Sequence, residues 1–270
     1  MIAFVEDKLC LLKETLKFSL MRYYDPDFRL WLTQYARRLR KFKNTHRGED
    51  CFIIGNGPSL NKMDLAPLNN HYIFGLNKIY LIFAQVKLNL SFYVAVNPYV
   101  IQQSVNEIEA LGCPCFIAFN SQGLRTPIQN LEHIYFFMTH GRIGSFQGDL
   151  MQPLWGGATV TYAAIQIAYY MRFSRIFLIG VDHNYKAQGK PSQTQILEGK
   201  DTNHFSGRYF TGQQWQLPNL PLAETAFRIA DHHFQKNGCQ IYDATVDGKL
   251  NVFPKISFAQ ALATCSKKSR

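Results

Sequence analysis

With 270 residues, 47% of them hydrophobic and 18% charged, the chain is long enough for one large domain and too apolar to stay disordered. A formal charge of +10 admits nucleic acid, an anionic membrane surface or a phosphorylated small molecule as partner. No zinc-finger spacing, RNP-type strand or helix-turn-helix pattern supports nucleic acid, which is set aside.

Residues 1–48 are expected as an N-terminal helical arm. Leu9, Leu11, Leu12, Leu16, Phe18 and Leu20, then Leu30, Leu32, Tyr35 and Leu39, recur at helical spacing, and Asp25-Pro26-Asp27 separates the two segments as break and cap. Glu6 and Asp7 stand where a secretory signal needs a basic and then an apolar stretch. No run reaches the ~18 apolar residues of a membrane span. Six cysteines without a C-x-x-C pair read as reduced, buried thiols. The chain is therefore expected in the cytoplasm, with peripheral contact at the inner face of the membrane left open. The arm closes on the basic run Arg37-Arg38-Leu39-Arg40-Lys41-Phe42-Lys43, and a second basic knot, Lys267-Lys268-Ser269-Arg270, lies in a tail expected over 261–270. Such charge is either solvated or turned to a membrane or acidic partner.

Between them, 49–260 reads as an α/β, Rossmann-like domain, a mostly parallel sheet with helices on both faces. The run Cys51–Ile54 is a buried strand, and further strands are expected at 71–75, 92–96, 115–118, 133–137, 175–179 and 240–242. Helices are expected at 98–111, 159–171 and 222–236. The stretch 186–220 breaks this alternation. It is rich in Gly, Gln, Ser, Thr, Asn and Pro yet carries Phe205, Tyr209, Phe210 and Trp215, and so reads as a lid.

The residues suited to chemistry cluster at strand ends, where open α/β sheets bind ligands. Gly55-Asn56-Gly57-Pro58-Ser59 follows the first strand; its glycines let backbone N–H groups approach phosphate or ribose oxygens, and Asn56 and Ser59 add polar groups. Pro58 separates the loop from a standard dinucleotide fingerprint and from a P-loop, and an ordinary tight turn is the plain alternative. The next strand ends on Asn77. The one after it ends on Asn97-Pro98, where Asn97 either faces the same crevice or caps the following helix. Gly156-Gly157-Ala158-Thr159 opens an apolar helix, an arrangement that suits an anion or close packing of helix on sheet. Gly180-Val181-Asp182-His183-Asn184-Tyr185 contributes Asp182 and Tyr185. The lid contributes His204, whose imidazole can act as a general base near neutral pH. No metal-site spacing is present, and no G-x-S-x-G elbow points to a hydrolase.

In their order, IIGNGPSL, an asparagine at the next strand end, VAVNP, a glycine turn into a helix and FLIGVDHNY resemble two groups of proteins. One is the bacterial sialyltransferases of surface glycans; the other is the MptE-like family, named for an archaeal 6-hydroxymethylpterin diphosphokinase. The resemblance covers roughly residues 50–250, and HFSGRYF, PNLPLAETAF and IYDATVDGKLNVFP are closer to the MptE-like proteins. Likeness to the sialyltransferases implies that Gly55, Asn56, Gly57, Pro58, Ser59 and Asn77, with Asn97 nearby, hold the nucleotide of a CMP-sugar. It places Gly156, Gly157 and Thr159 at the donor's phosphate or carboxylate. Tyr185 falls one position from a tyrosine that assists departure of the phosphate. The lid histidine of that family aligns near Trp215, where no histidine stands, so His204 is its substitute.

The resemblance implies a glycosyltransferase of surface glycan synthesis that needs no metal or cofactor. It would transfer a sugar, such as a nonulosonate, from a nucleotide donor to a glycan or carrier hydroxyl, with the basic arm against an anionic membrane. Two alternatives stay open. One is a Mg²⁺-dependent ATP diphosphokinase, for which Asp182 and Asp201 are the available carboxylates; the other is a non-catalytic nucleotide-binding module.

Overall fold

Short runs of unbroken apolar character suit strands covered on both faces, and those expected as strands are; the apolar run 79–84 instead forms a 3₁₀ segment. A computed structural model describes residues 20–140, 145–186 and 188–268; the apolar positions 9–18, Cys10 and the last two residues of the basic tail lie outside them. The strands are β1 (Asp50–Ile54), β2 (Tyr72–Leu76), β3 (Phe92–Ala95), β4 (Cys115–Ala118), β5 (Ile134–Phe137), β6 (Arg175–Ile179) and β7 (Gln240–Asp243). They form one sheet in the order β7-β6-β1-β2-β3-β4-β5, with every pairing parallel. The chain steps outward from β1 to β5, then returns to the other side of β1 for β6 and β7. The β1–β6 seam is thus the topological switch point, where such sheets open a crevice beyond the strand ends.

The helices are α1 (Pro26–Gln34), α2 (Pro98–Gln102), α3 (Val105–Glu109), α4 (Val160–Met171), α5 (Leu220–Lys236) and α6 (Phe258–Thr264). The helix expected over 98–111 is two short ones. Fully buried Ser104 leaves helical geometry at the break (φ −135°, ψ 23°), and its hydroxyl accepts a 2.6 Å bond from Tyr80. Helix α4 lies across β1, β2 and β3 and is buried nearly all round, which its apolar sequence requires.

Residues 26–42, expected within an arm, belong to the core. Trp31 is fully buried and its Nε1 donates to the Phe136 carbonyl on β5 at 2.9 Å. A 3₁₀ segment, Ala36–Phe42, continues along β5, and the Phe42 ring packs edge-on to Phe116 and Tyr135. The periodicity of the segment was legible, but whether its apolar face met another helix or a sheet edge was not. Likewise the boundary expected at 260 falls inside α6, whose Ala261 is buried and whose Phe258 ring packs on Phe52 of β1. Among the described residues no helix is long and apolar enough to cross a membrane.

Candidate active site

At the switch point two backbones nearly touch. A Cβ on Gly55 would stand 2.3 Å from the Gly180 carbonyl oxygen, and Gly180 itself has φ +65°. The Gly57 N–H donates to that same carbonyl at 2.8 Å, and a Cβ on Gly57 would collide with Asp182 Oδ2 at 1.8 Å. The Asp182 carboxylate accepts from the Ser59 N–H at 3.0 Å and from its hydroxyl at 2.6 Å. Burial raises the Asp182 pKa, and these bonds to Ser59 oppose the rise. Gly57, Ser59 and Asp182 therefore shape the loop from behind. Asp182, expected as catalytic, has its carboxylate committed to Ser59.

In front of the loop lies a cavity of about 710 Å³. Of the residues singled out in the sequence, Gly55, Asn56, Asn77, Asn97, Gly156, Thr159, Tyr185 and His204 line it, whereas Gly57, Pro58, Ser59, Gly157 and Asp182 do not. Gly157 instead packs on the Tyr162 ring, which a Cβ would meet at 2.4 Å. The Asn56 Nδ2 donates to the Leu76 carbonyl at 2.9 Å, which fixes the amide orientation. Among the buried polar atoms of the lining residues, Asn56 Oδ1, Asn77 Oδ1 and Trp215 Nε1 make no hydrogen bond with any described residue. Each such group costs about 1–3 kcal/mol until something pairs with it, which is what a ligand does. Asn77, Ala158 and His183, all on this wall, have φ of 48°, 56° and 53°, strain of the kind held at binding sites. Asn97 caps α2, its Oδ1 accepting from the Tyr99 N–H at 2.9 Å.

Helices α4 and α5 both begin at the cavity. Thr159 caps the first through the Thr161 N–H, Asn219 caps the second through the Leu222 N–H, and both caps are on the wall. The positive ends of two helix dipoles thus face one space. Among the described lining residues there is no Lys or Arg.

The lid is densely packed. Its outer part is a hairpin, Thr194–Ile196 with Gln214–Gln216. Its inner turn is clamped at several points: Asn203 exchanges two hydrogen bonds with the Lys186 backbone, and the Phe205 N–H donates to the Asn56 carbonyl at 2.9 Å. That turn presents His204, buried and stacked on Tyr209 at 3.9 Å, with its Nδ1 2.8 Å from Asp201 Oδ2. Burial alone would raise the Asp201 pKa. The hydrogen bond and charge of His204, together with the Asn203 and Phe210 N–H groups, outweigh it and hold the carboxyl below its usual range. The carboxylate is ionised and accepts the Nδ1 proton, leaving Nε2 without a bond to any described residue on a side chain that lines the cavity. This is the carboxylate–imidazole arrangement of a general base.

Tyr185, 37% exposed, lies with its ring 5.8 Å from His204. Desolvation first, then the Asp182 and Asp201 charges, raises its pKa; a ring this exposed is desolvated only in part, and with an ordinary value of about 10 the phenol is a proton donor at neutral pH in either case. Two contributors escaped the sequence reading. Asp201 was visible three residues before His204, but only as a metal ligand. Lys78 gave no signal, because lysines are rarely interior. It is 3% exposed, its Nζ donates to Gln103 Oε1 (2.9 Å), the Tyr209 carbonyl (3.0 Å) and Gln213, and burial lowers its pKa to about 8. It pins the lid beside Asn77. Among the described residues no group of three His, Cys, Asp or Glu is placed to hold a metal ion.

A family model described as 6-hydroxymethylpterin diphosphokinase MptE-like matches residues 30–188. No curated protein sequence matches the chain. Among solved structures, the MAf glycosyltransferase from Magnetospirillum magneticum AMB-1 is similar, with a TM-score of 0.51 and 13% identity over 87% of this chain and 39% of that one. The likeness is one of fold, and the chain spans well under half of that enzyme's length.

Proposed function

The chain belongs to the MptE-like family, and from that premise we propose that it is a transferase moving a glycosyl group from a nucleotide-activated sugar to a hydroxyl acceptor. The observation that carries this reading is the Asp201–His204 pair on the wall of a cavity at the switch point. The nucleoside lies against Gly55, Asn56 and Asn77, and the Oδ1 atoms of the two asparagines, unpaired among the described residues, take its N–H or O–H donors. The N-termini of α4 and α5 face the phosphate. His204 Nε2 takes the acceptor hydroxyl proton as that oxygen bonds to the anomeric carbon. The bond from that carbon to the phosphate oxygen breaks, its electron pair stays with the phosphate, and Tyr185 donates a hydrogen bond to it. The structural likeness to a glycosyltransferase supports the same reaction class.

Two helix ends with no described Lys or Arg beside them suit a donor with one phosphate, which favours a CMP-nonulosonate over a polyphosphate. The family's name favours a second reading, diphosphate transfer from ATP. That reaction needs Mg²⁺ held by carboxylates, and Asp182 and Asp201 are engaged by Ser59 and His204. Release of CMP from a CMP-sugar in EDTA, dependent on an added glycan acceptor, is the expected result. Activity that requires ATP with Mg²⁺ contradicts glycosyl transfer. Tight nucleotide binding without turnover on any acceptor makes the chain a binding module.

A further inference from the structure

The two basic knots of the sequence, more than two hundred residues apart, meet at the amino-terminal edge of the sheet. The Asn44 and His46 N–H groups donate to the last carbonyls of α4, on Tyr170 and Met171, at 3.1 and 2.8 Å. The His46 ring packs on Tyr72, the first residue of β2, at 4.5 Å, and the Lys268 ammonium lies 5.6 Å from the same ring. The Lys268 N–H donates to the Asn70 carbonyl at 2.8 Å. Of the acidic groups at this edge, Asp50 is engaged by Arg175 and Glu49 by His46, while Glu132, whose carbonyl accepts from Arg38, is exposed. Arg40 and Arg172 stand at the C-terminal end of α4, where its dipole favours cations. The exposed side chains of Arg37, Lys43, Arg47 and Lys267 have no such local role and make no ion pair or hydrogen bond with any described residue.

We propose that this edge is a docking surface for an anionic phospholipid bilayer. The cations are long and solvated; of the large exposed rings, Tyr23, Tyr24 and Tyr185 belong to segments at the cavity end, and Phe83 stands singly near the end of the 3₁₀ segment Asn77–Ala84. A spread of solvated cations with few rings beside them matches a plane of lipid phosphates better than single-stranded nucleic acid, whose bases stack on aromatic platforms. The cavity lies beyond the opposite, carboxyl ends of the strands, so docking here turns its mouth toward the aqueous side.

Co-sedimentation of the full chain with vesicles tests this. Binding is expected to phosphatidylcholine mixed with phosphatidylglycerol, not to phosphatidylcholine alone, and to fall with added salt. Replacing Arg37→Glu, Lys43→Glu and Arg47→Glu together is expected to lower the partition coefficient by about 100-fold or more, from the per-residue attraction of a basic side chain to an anionic surface. Lys190→Glu, Lys200→Glu and Arg208→Glu together make the same change of net charge on the exposed lid and are expected to leave most of the binding. An unchanged Tm in both variants checks their folding. Equal loss in both, no preference for phosphatidylglycerol, or tighter binding to single-stranded DNA than to the vesicles overturns the proposal.

Discussion

At the carboxyl ends of the strands the chain sets asparagines, a buried histidine–aspartate pair and two helix N-termini around a cavity without a described Lys or Arg. At the amino ends it sets Arg37, Lys43, Arg47 and Lys267 in solvent, with the Asn44 and His46 N–H groups bonded to the last carbonyls of α4. Both follow from one cause. In an all-parallel sheet every connecting helix runs back against the strands, so helix N-termini gather at one end and C-termini at the other. The polar end is built of short side chains in fixed positions; the basic end is built of long ones in water. The first can recognise a shape, the second only a charge.

That contrast is open to attack by substitution, most strongly at His204. His204→Ala is expected to lower kcat by about 10²–10⁴-fold, the usual worth of a general base, measured by nucleotide release under saturating donor. A variant retaining full rate removes the histidine from the chemistry. Asn56→Ala deletes an amide oriented by Leu76 and is expected to weaken nucleotide binding by about 10- to 100-fold, read by calorimetric titration.

Asp201→Asn is expected to cost about 1–3 kcal/mol in urea unfolding at neutral pH, because it breaks a buried charge-assisted bond. Its pH dependence carries a sign. The folded-state pKa of Asp201 lies below its unfolded value, so its contribution is present above the unfolded value of about 3.9 and is lost as pH falls through the folded one. The gap between wild type and variant therefore closes in acid; a gap that persists there contradicts the ionised pair. Smallest of all, Arg37→Ala with Lys43→Ala is expected to shift stability by no more than about 0.5 kcal/mol and to leave nucleotide binding unchanged. A large change in either links the two ends of the sheet.

What the sequence disclosed and what it hid differ by range of interaction. β4 and β6 were bounded to the residue because Cys115–Ala118 and Arg175–Ile179 carry apolar runs, each followed by Asn or Gly within two residues. Asn97 as a cap was likewise local, since its partner is two residues away. By contrast, Asp182 reaches Ser59 across 123 positions and Lys78 reaches Tyr209 across 131, and no periodicity reports such pairs. The break at Ser104 depends on Tyr80, and the docking of Trp31 depends on Phe136. The cavity was legible as a set of strand ends, but the division between wall and backing, Asn56 against Ser59, required the loop's folded shape. The family match ends at residue 188, so the lid that carries Asp201 and His204 lies outside it.

A thermal-shift comparison of CMP, CDP, UDP, GDP and ATP on the wild-type chain and on Asn56→Ala, each in EDTA and in Mg²⁺, bears on the cavity most directly, since a ligand bound only by the folded state raises Tm by mass action. A cytidine nucleotide is expected to give the largest rise, in EDTA as in Mg²⁺, and Asn56→Ala to remove it. A rise given only by ATP with Mg²⁺, or one that survives Asn56→Ala, contradicts a metal-independent nucleotide-sugar site at the end of β1.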